Sequence, residues 1–127
     1  LSELTAEQHH VLKDYNEVLD TVSDTLEFLE TNLKEEVSDE VQQVFEDLLL
    51  AFEQLSVSHE QMIIWFEDKV EMSTLVADYH EVIDLLKEWF VFESNEEKRE
   101  LLFEKVTPAF ESWKDRMQLF VKPYIAH

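Results

Sequence analysis

Between Phe45 and Phe66 a large side chain recurs at every third or fourth position: Phe45, Leu48, Phe52, Leu55, His59, Met62 and Phe66. At 3.6 residues per turn this alternation sets all seven on one face of a helix. Six are apolar, and a histidine stands in the middle of the stripe. Comparable stripes define three more helices. The first is predicted over about 5–33, on Val11, Tyr15, Val18, Val22 and Leu29, widened by Leu12, Leu19, Leu26 and Leu33. Thr5 is its expected N-cap, with Gln8 three residues on where a capping box usually has Glu. A polar break over 32–39 offers Ser38 or Asp39 as the next cap, and the second helix runs to about residue 68. The third carries Leu75, Tyr79, Val82, Leu86 and Trp89, with Val76, Ile83 and Phe90 beside them. Asp68-Lys-Val-Glu71 and Ser73-Thr74 are both candidate caps for the next break; a single helix over 39–92 would be about 80 Å long, so a turn is predicted at 71–74.

Ser94-Asn-Glu-Glu97 reads as a capping box opening a fourth helix, whose stripe is Leu102, Val106, Phe110, Trp113, Met117, Phe120 and Tyr124. Pro108 falls inside it. Proline removes an amide donor and crowds the preceding turn, so a kink near Pro108 is expected, or a restart with Thr107 as N-cap. The chain has no glycine and two prolines, which argues for few, long elements over a turn-rich β fold. The expected architecture is all-α, an antiparallel up-down four-helix bundle forming a single domain over 1–127. An internal echo raises the further expectation of a helical hairpin used twice. Asp14-Tyr-Asn-Glu-Val-Leu-Asp20 matches Asp78-Tyr-His-Glu-Val-Ile-Asp84 at an offset of 64, and at 65 Phe45 falls on Phe110, Leu48 on Trp113 and His59 on Tyr124.

Charge changes the picture of partners. Thirty acids against ten Lys and Arg give a formal −20, so phosphate backbones and anionic lipid are repelled, and neither direct nucleic-acid nor membrane binding is expected. The excess is uneven. Residues 1–93 hold 24 acids and four lysines, whereas 94–127 hold six acids and six bases. Nothing approaches the 18 or so uncharged apolar residues of a membrane span. The start, Leu1-Ser2-Glu3-Leu4, lacks a signal peptide's basic and apolar regions, and a missing initiator Met suggests an excised segment; a cytoplasmic location is the expectation.

Candidate chemistry is sparse. There is no cysteine, hence no disulfide, thiolate metal site or cysteine nucleophile. Serines and threonines cluster at helix ends, where capping accounts for them. A ferritin-like site needs two Glu-x-x-His pairs with further inward carboxylates, and only Glu7-x-x-His10 occurs. Both His9 and His10 are expected to point away from helix 1's stripe, so no metal, cofactor or catalytic group is assigned. His59 is expected to be a core histidine bonded to a buried hydroxyl of Tyr15, Tyr79 or Tyr124, with a lowered pKa.

One surface departs from a simple bundle. Leu50, Val57 and Ile64 repeat at seven on the back of helix 2, interleaved with Glu53 and Glu60, with Trp65 beside them and Phe28 off the main stripe of helix 1. Either helix 2 is buried on both sides, or this row is a groove or dimer face. The leading expectation is a non-catalytic cytosolic binding protein: an adaptor, chaperone or inhibitor. It would engage a basic or amphipathic protein, or a second copy, through this acid-rimmed row. The alternative is a nucleic-acid mimic that occupies a DNA- or RNA-binding protein's basic groove; an enzyme centred on His59 stands third.

Overall fold

The computed structural model describes residues 4–34, 36 and 38–125. Four helices form an all-α bundle: α1 (Ala6–Asn32), α2 (Asp39–Trp65), α3 (Val70–Lys87, continued by a 3-10 turn, Glu88–Phe90) and α4 (95–125). Among the described residues there is no strand. Each odd helix packs against both even ones, so α1 and α3 lie across the bundle diagonal. Among the described residues no helix is long and apolar enough to cross a membrane.

The polar breaks work as caps. Thr5 accepts from the Gln8 amide at 3.1 Å while its own amide donates to Gln8 Oε1 at 2.8 Å, so glutamine completes the box. Ser38 accepts from the Val41 amide at 3.2 Å. Ser94 accepts from the Glu97 amide at 3.1 Å, and its hydroxyl donates to the Glu97 carboxylate at 2.9 Å. Asn95 Nδ2 then donates to the Lys34 carbonyl at 2.7 Å, tying the α3–α4 corner to the end of α1. Ser94→Ala should therefore cost about 1 kcal/mol in a denaturant titration, the usual value of such a cap.

Two boundaries and one helix face depart from expectation. The α2–α3 turn lies at 66–69, not 71–74. Phe66 is buried and closes α2, Lys69 donates to the Phe66 carbonyl at 2.8 Å, and α3 begins at Val70 without a side-chain cap. Starting there adds a turn that buries Met72. Thr107 is not an N-cap: its backbone is helical and its amide reaches five residues back to the Leu102 carbonyl. The chain forms a π turn over Leu102–Val106 and then continues as helix over Thr107–Ile125. The wider turn accommodates what Pro108 does to the ladder, since proline has no donor and its ring crowds the carbonyl four residues earlier. In α1 the buried row is Leu12, Leu19, Leu26 and Leu33 with Tyr15, Val22 and Leu29, while Val11 and Val18 are only half-buried. That rotation brings His9 inward. Its Nδ1 lies 2.6 Å from the Tyr124 carbonyl, contrary to the expectation that it points away.

All seven residues of the α2 stripe are buried. Phe45 stacks on Trp89 with ring centroids 4.1 Å apart and planes 9° apart. Phe52 meets Phe110 edge-on, His59 meets Trp113, and Phe66 meets Phe120. The even helices thus face each other about two to three turns away from the alignment that pairs His59 with Tyr124.

Candidate functional site

Two places combine unusual chemistry with definite geometry: a polar layer at the bundle's centre and an apolar row on its outside.

One residue from each helix builds the layer: Tyr15 (α1), His59 (α2), Tyr79 (α3) and Trp113 (α4). All four are buried. The His59 ring lies edge-on to Tyr79, Tyr15 and Trp113, with centroids 4.4, 5.5 and 5.6 Å away. Tyr15 Oη and His59 Nε2 are 2.6 Å apart. Tyr79 donates instead to the Phe52 carbonyl at 2.7 Å and accepts from Ser56 at 3.3 Å. Trp113 Nε1 donates to the Leu75 carbonyl at 2.8 Å. The echoed tyrosines thus sit on diagonal helices with different partners. Tyr124, grouped with them by sequence, is half-buried beside Phe66 and Phe120 near the end of α4.

Burial sets the protonation of this layer. It lowers the His59 pKa to about 4, with a smaller contribution from His80. It holds the Tyr15 phenol well above its ordinary value, with Tyr79 adding to the effect, and pushes Tyr79 up to about 12. At neutral pH His59 is uncharged and both phenols keep their protons. His59 Nδ1 is buried without a partner. If Nδ1 carries the ring proton, Tyr15 donates to Nε2 and the Nδ1–H is stranded. If Nε2 carries it, Nε2–H donates to the phenol oxygen and the phenol proton is stranded. One donor lacks an acceptor either way. A cleft of about 190 Å³ between α1 and α2 is lined by Tyr15 but not by His59. Among the described residues no three His, Asp or Glu side chains gather where they could hold a metal ion.

On the outside, Leu50, Val57 and Ile64 are 62%, 53% and 68% exposed. The doubly buried option for α2 is therefore excluded within this chain. Glu53 and Glu60 are exposed between them. Phe28 and Trp65, grouped with this row by sequence, are half-buried and pack against the edge of the core.

The ion pairs explain why α2 differs. Lys114, only 12% exposed, reaches Asp20 at 3.6 Å, Glu111 at 3.2 Å and the Ser23 hydroxyl at 2.7 Å. Arg116 pairs with Asp78 at 2.7 Å, and Lys105 with Glu88 at 3.9 Å. The cations of α4 thus serve the acids of α1 and α3. α2 holds six acids and no Lys or Arg, and among the described residues no ion pair involves it.

Sequence reasoning missed a second apolar opening. A cleft of about 430 Å³ between α3 and α4 is lined by Val70, Leu75, Leu119 and Phe120, with Glu71, Thr74 and Arg116 at its polar edge. Val70 was hidden by placing the turn at 71–74, which left it in a loop. Leu119 was hidden by treating α4 as a single stripe, although its position off that stripe was the available signal.

No curated protein and no solved structure matches the chain. A family model does match, over residues 10–116, most of all four helices: the chain belongs to the family described as Domain of unknown function (DUF8042).

Proposed function

We propose that this is a non-catalytic binding protein that presents the outer face of α2 to a protein partner, as an adaptor, chaperone or inhibitor. The observation that carries the reading is the exposed heptad row Leu50–Val57–Ile64 on α2, whose acids have no ion pair among the described residues. Exposed aliphatic side chains at regular spacing gain by being covered. Uncompensated carboxylates gain from a cationic neighbour and steer its approach. The central layer supports the same reading. His59 is 2% exposed and sealed among rings, which favours a packing role for it over a catalytic one.

Leu50→Asp with Ile64→Asp tests this. The double variant should keep the helical circular dichroism and melting temperature of the parent, since both side chains project from the bundle. Retention of partner by the immobilised protein should fall at least about 100-fold. Loss of fold would show the row to be core and would end the proposal. Salt separates this reading from the nucleic-acid mimic: a contact made chiefly by carboxylate rows weakens steeply as ionic strength rises, and an apolar contact holds.

A further inference from the structure

The outer row of α2 has a finer pattern than apolar residues among acids. Reading along it gives Glu46, Leu50, Glu53, Val57, Glu60 and Ile64, a strict alternation of four and three. This is the spacing of a coiled-coil seam. If the apolar residues hold the a positions, every d position is a glutamate. All six side chains are exposed. α2 thus carries two seams back to back, an apolar one turned into the bundle and a half-acidic one turned out.

This alternation selects among occupants. In a parallel pair of two copies, like layers meet, and glutamate faces glutamate in every second layer. In an antiparallel pair each glutamate lies against Leu, Val or Ile with no cation. Either way the seam buries carboxylates unpaired, which costs more than the aliphatic contacts return. The whole chain's charge of −20 opposes self-pairing further. A helix with an uninterrupted apolar seam covers Leu50, Val57 and Ile64 but strands the three glutamates. A helix whose seam alternates apolar residues with Arg or Lys satisfies both sets, because each cation then falls within reach of a glutamate.

We infer that the occupant of this face is a single amphipathic helix of about four turns whose own seam alternates aliphatic and basic residues, docking alongside α2 as a fifth helix. The inference rests on the proposed binding role of this face. The length follows from the row, since the 14 steps from Leu50 to Ile64 span about 21 Å at 1.5 Å each. Arg suits the basic positions best, because its planar fork can take a carboxylate with two parallel bonds while its stem lies on the neighbouring aliphatic side chain.

Three synthetic helical peptides of about two heptads test this by calorimetry against the full chain: one with a Leu/Arg seam, one with Leu/Leu, and one with Leu/Arg whose arginines are moved to the outward face. The Leu/Arg seam should bind at least about tenfold more tightly than either control. That preference should vanish in Glu46→Gln/Glu53→Gln/Glu60→Gln, and all binding should vanish in Leu50→Asp/Ile64→Asp. If Leu/Leu binds equally well and the glutamine variant changes nothing, the alternating seam is overturned while the apolar face stands as a binding site. If no peptide binds but the parent self-associates through Leu50 and Ile64, a second copy is the occupant and the inference fails. If no peptide binds and the chain stays monomeric, both the inference and the reading beneath it fall.

Discussion

Trp113→Ala should cost about 3–5 kcal/mol, the range for deleting a large buried aromatic. Trp113 is 2% exposed and is the α4 member of the central layer, with centroids 5.0 Å from Tyr79, 5.6 Å from His59 and 5.7 Å from Phe110. Its removal opens a void where three rings lose an edge or a face, and the lining side chains forfeit those contacts. Small domains are stable by about 5–15 kcal/mol, so this one substitution removes a large share. Trp113→Phe separates ring from donor. Phenylalanine fills most of the space but cannot donate to the Leu75 carbonyl. That carbonyl still accepts within α3, so the cost should drop to about 1–2 kcal/mol. Urea denaturation of both variants is the check. Equal costs would mean that the hydrogen bond, not the packing, holds the layer together.

What the sequence made legible follows from how each feature is encoded. The α2 stripe is written in spacing alone, and all seven members are buried. Caps are equally local: Thr5, Ser38 and Ser94 each bond an amide three residues ahead. The outward Leu50–Val57–Ile64 row was visible for the same reason, although only the packed structure could choose between a buried and an exposed row. The misses share a different cause. The α2–α3 turn has no side-chain cap at Lys69 and an aliphatic residue at Val70, so the polar break at 68–71 competes locally with the one at 73–74; the burial of Phe66 and Met72 decides. In α1 the Val11–Val18 and Leu12–Leu19 rows are both apolar, and contact with α2 and α4 picks the second as the centre. The partner of His59 was narrowed to three tyrosines, and only the register of α1 against α2 selects Tyr15. The π turn at Leu102–Val106 also packs on α1 and α3, contacts that spacing does not encode. Spacing reports which face of a helix is apolar; it does not report where along its neighbour that face comes to rest.

The pH dependence of stability should carry the mark of His59. Its pKa is about 4 in the fold against an ordinary 6.5, so between those values the unfolded chain binds a proton that the folded chain refuses. Stability from this residue is therefore complete above about pH 6.5, falls as pH drops through that value, and levels off near pH 4. Two and a half units correspond to about 3 kcal/mol. The surface works in the opposite sense, because protonating carboxylates on a chain of net charge −20 relieves repulsion over part of the same range. A pH profile of the parent alone mixes the two, and a matched variant is needed. His59→Leu by itself strands the Tyr15 hydroxyl and should cost about 1–3 kcal/mol at neutral pH. Tyr15→Phe with His59→Leu removes both partners together with the donor that the native pair leaves without an acceptor, so it should be at least as stable as the parent at pH 7. From pH 7 down to pH 4 the double variant should then gain about 3 kcal/mol relative to the parent, measured by urea denaturation at each pH. Parallel profiles would mean that His59 takes up its proton inside the fold, as it could only if water or a carboxylate reached the central layer.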